Sequence, residues 1–352
     1  MELLILDTNL NPIDILDQFE SLIWIDRFDD CGEFEIYTSP SEFVVQNLKS
    51  NYYLYLRDSD HLMIIEDCKI SDDIEDGGKI TFSGRSVESI LDRRIVWKQT
   101  ILTGSLQDGI ERLLNENVIS PEIPERIIPN FIFEASDDPV ITALTIDAQF
   151  TYTNLFETIR NLCVVNNIGF KVTLSDDMSH FIFKLYTGKN RSYDQTENPY
   201  VIFSQKFENI INTSYSESQK NFKNVTLVAG EGEGLERKTT IVGNETGLSR
   251  RELYTDARDL SQETESETLS NEAYLAQLYQ RGQEHLAETG IETVFDGQID
   301  SSYIFKYGED FFLGDIVQLV SNYGIEAKAK ITEIIYSEDL SGVEIYPSFK
   351  LL

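Results

Sequence analysis

The sequence predicts a β-rich α+β fold in which two strand-rich blocks flank a mixed α/β insert. Three observations carry this. Short apolar or alternating segments, punctuated by Asp, Gly and Ser, fill the first hundred residues and recur after about Ser204. Two segments with helical spacing lie between those blocks. Aromatic residues are plentiful, 17 Tyr and 20 Phe, while proline is scarce at 8, a composition that favours strands over disorder. With 352 residues the chain exceeds one ordinary core, so two to four domains are expected.

The first block reads as a series of strands. Leu3–Leu6 is a short apolar run, and Ser21–Asp26 contains Leu22, Ile23, Trp24 and Ile25. Over 33–38, Phe34 and Ile36 face one way and Glu33, Glu35 and Tyr37 the other. Tyr52–Leu56, Leu62–Glu66 and Lys79–Phe82 continue the series. The turns fall at Asp29–Gly32, Ser39–Pro40, Asp58–Asp60 and Glu75–Gly78. Such spacing points to a barrel or a strongly curved antiparallel sheet, with a short helix over Ser86–Leu91.

After Trp97 the periodicity changes. Over Ser105–Val118, residues Leu106, Ile110, Leu113, Leu114 and Val118 share a helical face, with Ser105 and Asp108 as a capping pair. A second helix, Asn154–Asn166, places Leu155, Phe156, Ile159, Leu162 and Cys163 together; Asn154 with Glu157 caps it and Gly169 is expected to close it. Strands follow at Phe170–Leu174 and His180–Tyr186.

The chain then returns to strands. Asn224–Ala229 is expected to pair with Lys238–Val242. An acidic loop with Glu263, Glu265 and Glu267 leads to one long helix, Asn271–Thr289, with Leu275, Leu278, Tyr279, Gly282 and Leu286 on one side and Gly290 as its stop. The last strands are expected at Glu292–Phe295, Ile316–Val320, Ala327–Ile335 and Gly342–Phe349. No repeat of 20 to 50 residues stands out.

Charge excludes several functions. Lys and Arg total 29 against 61 Asp and Glu, a net charge of −32. A nucleic-acid binder needs a basic patch to displace counterions, and the densest candidate, Arg250 and Arg251 near Lys238, is interrupted by acids. Stable binding to DNA or an anionic membrane is therefore not expected. Carboxylates lining a tube would instead repel DNA phosphates and let DNA slide. Cys31, Cys68 and Cys163 are too scattered for a disulfide framework or a zinc site and read as free thiols, mostly buried, folded in a reducing compartment. Met1–Leu10 lacks the features of a signal peptide, and no stretch is long and apolar enough to span a bilayer.

No catalytic, cofactor-binding or metal-ligating residue is assigned. His61, His180 and His285 share no ligand spacing, and surface or half-buried structural roles are expected for them. No G-x-S-x-G elbow exists. The run Gly230–Gly234 follows a strand, as a phosphate cradle would, but leads into another strand, and Glu231 and Glu233 would repel phosphate. It reads as a hairpin tip with positive φ. The acidic run Asp72, Asp73, Glu75 and Asp76 lacks calcium-loop spacing and reads as a solvated turn. Among 61 acids a glycosidase pair cannot be chosen by sequence.

Five segments, in order, resemble the hub family of long non-contractile phage tails, which includes the N-terminal hub region of tail-associated lysins. They are the Trp24–Phe34 hairpin with Gly32 and Pro40; Phe82–Ser86 followed by Ile90–Arg94; Asn224–Gly234 with Arg237; Arg251–Leu260; and Tyr307–Val317, whose Asp310-Phe311-Phe312-Leu313-Gly314-Asp315 turn is the most distinctive. The resemblance spans nearly the whole chain.

The resemblance implies a phage baseplate hub-like fold with two tube-type β-barrel domains and an α/β insert: 1–96 as the first barrel, 97–204 as the insert, and 205–352 as the second tube domain with one long helix and peripheral β elements. It implies a homotrimer at the distal end of the virion tail that adapts a six-fold tube to a three-fold tip and forms part of the DNA passage. The implied partners are the distal tail protein, the tape measure protein and other tail-tip proteins, with DNA passing transiently and no stable membrane binding. Longer members carry a C-terminal peptidase or receptor-binding region; this sequence stops at Leu352, so an adaptor without lysin activity is expected, and no enzyme. Two alternatives stay open: a baseplate hub of a contractile tail or related injection particle, and a carbohydrate-active or glycan-binding tail-tip protein.

Overall fold

The computed structural model describes residues 1–73, 77–263, 268–298, 305–320 and 326–352. Glu75, Asp76, Glu265 and Glu267, noted above for their charge, lie outside the described residues. The chain divides into two compact units, one of residues 1–89, 168–216 and 294–352, the other of residues 90–167 and 217–293. The segments 1–96, 97–204 and 205–352 follow chain order; each compact unit draws on all three.

The first unit is built on one sheet of thirteen strands among the described residues. Its main path runs from Ile211–Ser218 through Glu292–Gln298, Gly342–Leu351 and Glu326–Asp339 to Ser21–Arg27, then Glu33–Thr38, Gly77–Ser86, Leu62–Asp73, Tyr53–Leu56, Leu3–Leu6 and Pro12–Leu16. Two more strands branch from it: Ile316–Val320 pairs antiparallel with Glu326–Asp339 and parallel with Ile202–Ser204. The expected barrels thus meet a single open sheet, whose two ends do not pair among the described residues.

The alternation of apolar residues sets which face is buried. Leu22 and Trp24 point inward from Ser21–Arg27, and Phe34 and Ile36 from Glu33–Thr38, as the sequence pattern required. What joins the ends of the chain is the antiparallel pairing of Ser21–Arg27 with Glu326–Asp339, which sets Trp24 opposite Tyr336. The core under this sheet gathers Leu3, Trp24, Phe82, Phe203, Phe311 and Phe349. Phe203 packs edge-on against Phe311, with ring centroids 5.3 Å apart.

In the second unit, Val225–Ala229 is the centre of a three-stranded sheet. It pairs antiparallel with Thr239–Val242 and parallel with Glu252–Asp256. The helix Asn271–Glu288 covers this sheet through Tyr274, Leu278 and Gly282, a row at i, i+4 and i+8. A Cβ on Gly282 would meet the methyls of Val228 and Val242, so the glycine permits close helix–sheet approach. The buried row differs from the expected face. Tyr279 is 44% exposed, while Tyr274 is fully buried, accepting from Glu231 N at 2.9 Å and donating to Leu260 O at 2.9 Å. The underlying strands select the row, and a side-chain hydroxyl with two partners tolerates burial better than the periodicity alone suggests.

The two expected caps form. Ser105 accepts from Asp108 N at 3.3 Å and Asn154 from Glu157 N at 3.1 Å. The first helix is α-helical over Leu106–Leu114 and continues as a π-turn over Asn115–Ile119. The second ends at Val165, and Asn167, not Gly169, supplies the left-handed residue, with φ 58°. Gly169 instead starts the strand Gly169–Leu174, where Phe28 leaves no room for a Cβ.

Candidate functional site

A cluster of buried polar groups lies within the first unit. Trp24 and Asp26 come from one strand, Ser59 and His61 from the turn after Tyr53–Leu56, and Glu88 from the 3-10 turn Val87–Arg93. Ser59 Oγ donates to Asp26, 2.8 Å from Oδ2, and the Trp24 indole N–H donates to Asp26 Oδ1 at 2.9 Å. His61 N donates to Ser59 Oγ at 3.0 Å, and His61 Nδ1 lies 3.0 Å from Glu88 Oε1, which also accepts from Val172 N at 2.6 Å.

Asp26, His61 and Glu88 are all buried. Burial pulls the imidazole pKa down, but Glu88 and Asp26 outweigh it and raise His61 to about 9. Burial alone would raise Glu88; His61 holds its carboxyl below the ordinary value. Burial dominates at Asp26, whose carboxyl is raised. The arrangement is therefore an imidazolium–carboxylate pair with a second carboxyl held by neutral donors. It ties one strand, two turns and the strand Gly169–Leu174 together. His61 was expected at a surface or half-buried turn; it follows the turn but points inward, to a carboxylate distant in sequence. The one signal was Asp26, which continues the inward register of Leu22 and Trp24.

The segment Tyr307–Val317 forms a second construction. Gly314 has φ 89°, and a Cβ there would overlap the Phe28 ring. Asp315 is buried, accepting from Arg191 Nε and Lys189 N at 2.6 Å each and from Phe312 N at 3.0 Å. The motif residues thus shape a turn and anchor the 187–201 segment to the sheet.

The other flagged residues sit apart. His180 is exposed beside Ser179, and His285 is half-buried with Nδ1 3.2 Å from Thr255 Oγ1. Cys31 and Cys163 are buried and Cys68 is exposed; burial, with Asp30 adding, pushes the Cys31 thiol up to about 12. Gly232 and Gly234 have positive φ at the hairpin tip, whereas Gly230 is constrained by the Tyr274 hydroxyl. Lys238 bonds Asn271, Arg250 pairs with Glu252 and Arg251 donates to Gln219 O, so the three basic residues noted above make no common site. Among the described residues no group of His, Cys, Asp and Glu is arranged to hold a metal, and no helix is long and apolar enough to cross a membrane.

The family model described as Siphovirus ReqiPepy6 Gp37-like protein matches residues 2–349. The chain belongs to this Gp37-like family. No curated protein matches it. Solved structures agree on the fold of this Gp37-like chain. The 43 kDa tail protein of prophage MuSo2 from Shewanella oneidensis aligns with a TM-score of 0.58 at 13% identity, covering 99% of this chain and 98% of that one. The tail protein from Neisseria meningitidis MC58 gives 0.57 at 12%, covering 99% and 95%. Prophage tail protein gp18 from Listeria monocytogenes EGD-e gives 0.51 at 15%, covering 99% and 94%. The Gp37-like chain thus belongs to a siphovirus family and has a β-rich α+β fold similar to that of these phage tail proteins.

Proposed function

We infer that this Gp37-like chain is a phage tail protein, a structural, non-enzymatic hub at the distal end of the tail. Three copies close into a ring that forms part of the DNA passage. Its neighbours are the distal tail protein, the tape measure protein and other tail-tip proteins. DNA passes without stable binding, and no stable membrane binding is involved. Strands of 1–96 and 205–352 serve as tube-type wall segments around the insert 97–204.

The observation that carries this is the open sheet, in a chain of a siphovirus family whose fold is similar to that of phage tail proteins. Pro12–Leu16 and Ile211–Ser218 end the path with one side unpaired among the described residues. Free edges invite uncontrolled pairing, and a closed assembly covers them. The excess of carboxylates, 61 against 29 basic residues, suits a passage that must not retain DNA. Light scattering on the purified chain, with cross-linking of assembled tails, tests it. The expected mass is three times the 40.3 kDa chain. A monomer in solution and no trimeric cross-link in tails would overturn the reading.

A further inference from the structure

The second unit carries an exposed aromatic beside two arginines whose hydrogen bonds go to backbone and amide oxygens and not to carboxylates. Trp97 is 47% exposed, flanked by exposed Ile95 and Ile127. The Arg126 guanidinium lies 5.0 Å from the Trp97 ring centroid. Arg126 donates to Ile95 O at 2.6 Å and Asn117 Oδ1 at 3.1 Å, and Arg94 donates to the backbone oxygens of Arg126 and Arg93 at 3.0 Å each. Neither arginine has an ion pair to a carboxylate among the described residues, and Lys98 already holds the nearby Glu122. The Arg126 pKa is lowered by burial and by the Arg94 charge. Tyr152 N donates to Val96 O at 2.9 Å, which places it beside the patch; its φ is 57° and it is 73% exposed. A strained, outward-facing aromatic beside Trp and Arg has the composition of an interface centre.

A surface of opposite character exists on the same chain. The edge strand Pro12–Leu16 exposes Ile13 and Ile15, and Asp14, Asp17 and Glu20 follow one another with no Lys or Arg before Arg27. Asp17, Phe19 and Glu20 line a groove with Ile15 and Phe43. We propose that the Arg94–Trp97–Arg126 patch of one copy docks on the acidic, aliphatic edge Ile13–Glu20 of a second copy. The contact is heterologous, so it propagates around a ring and can close. It also answers an electrostatic problem: chains of net charge −32 repel unless opposite charges meet locally. The inference rests on the self-association in the hub reading.

The test is a charge swap on the full chain, with mass measured by light scattering and folding checked by circular dichroism. Arg94→Glu with Arg126→Glu is expected to weaken association about tenfold or more. Asp14→Lys with Asp17→Lys, on the exposed edge and so without risk to the arginine contacts, is expected to do the same. All four changes in one chain are expected to restore the trimer. A wild-type trimer unaffected by either reversal overturns the inference and leaves the hub reading standing; a wild-type chain that is monomeric in solution and gives no trimeric cross-link in assembled tails overturns both. A short duplex DNA that binds the wild type and not the Arg94→Glu, Arg126→Glu variant, with mass unchanged, would assign the patch to nucleic acid and overturn the inference too.

Discussion

Arg191 and Asp315 form a buried ion pair, Nε to Oδ2 at 2.6 Å, linking residues 124 positions apart. Asp315 also closes its own turn and the start of the 187–201 segment. Removing one partner leaves a buried charge unsatisfied, which costs far more than the pair's net contribution. Asp315→Ala is expected to destabilise the first unit by about 3–5 kcal/mol. Urea unfolding followed by Trp fluorescence measures it, and a loss within error of wild type would show that Arg191 finds water or another acceptor.

Gly314 and Gly308 separate conformational strain from steric overlap. Both have positive φ, 89° and 83°, but a Cβ on Gly314 runs into Phe28 while one on Gly308 meets open space. Gly308→Ala is expected to cost about 1 kcal/mol and Gly314→Ala at least about twice that. Thermal melts of the two variants side by side give the comparison; equal losses would mean that the Phe28 ring moves aside.

The His61–Glu88 pair predicts a pH dependence. His61 has a folded pKa of about 9 against an ordinary 6.5. Its stabilisation is therefore fully present below pH 6.5 and is lost as pH rises through about 9. The loss is expected to be on the order of 1–3 kcal/mol. Glu88, held low by His61, acts at the other end: its contribution is present above its unfolded value and declines as pH falls through the lower folded one. Asp26, raised by burial, opposes the acid-side loss. Denaturation midpoints at pH 6, 8 and 10 for wild type and His61→Gln check this. Parallel curves for the two proteins would remove His61 as the source.

Asn154 accepts from Glu157 N at 3.1 Å and donates to Asp92 Oδ1 at 2.8 Å. Asn154→Ala is expected to destabilise the second unit by about 1 kcal/mol, and Asn154→Ser to recover most of it, because a hydroxyl caps equally well. Differential scanning calorimetry of both variants decides whether the cap or the Asp92 bond matters more.

Much of the fold was legible because local rules act over a few residues. Phe34 and Ile36 alternate with Glu33 and Glu35 and are buried as the alternation demands. Ser105 and Asn154 cap their helices because a short polar side chain before an amphipathic run satisfies free N–H groups. The long helix was visible, but not which row it buries: Tyr274 in place of Tyr279 depends on strands that approach from elsewhere in the chain. The candidate cluster was least visible. Asp26 broke an apolar register, but nothing near His61 announced Glu88, 27 residues on.

The sequence by itself determined the strands of the first block from Ser21 to Phe82, the two capped helices and the long helix, and the excess of carboxylates, while strands such as Pro12–Leu16 and Thr145–Phe150 emerged only in the structure. Only the tertiary structure decided that Ser21–Arg27 pairs with Glu326–Asp339, that His61 faces Glu88, and that Arg191 reaches Asp315. The reason is physical. Periodicity encodes which side of a strand meets the core, but every backbone offers the same N–H and C=O groups to a neighbour. The choice of neighbour across 300 residues is made by the packing of the whole core, where a buried charge persists only if its partner arrives with it.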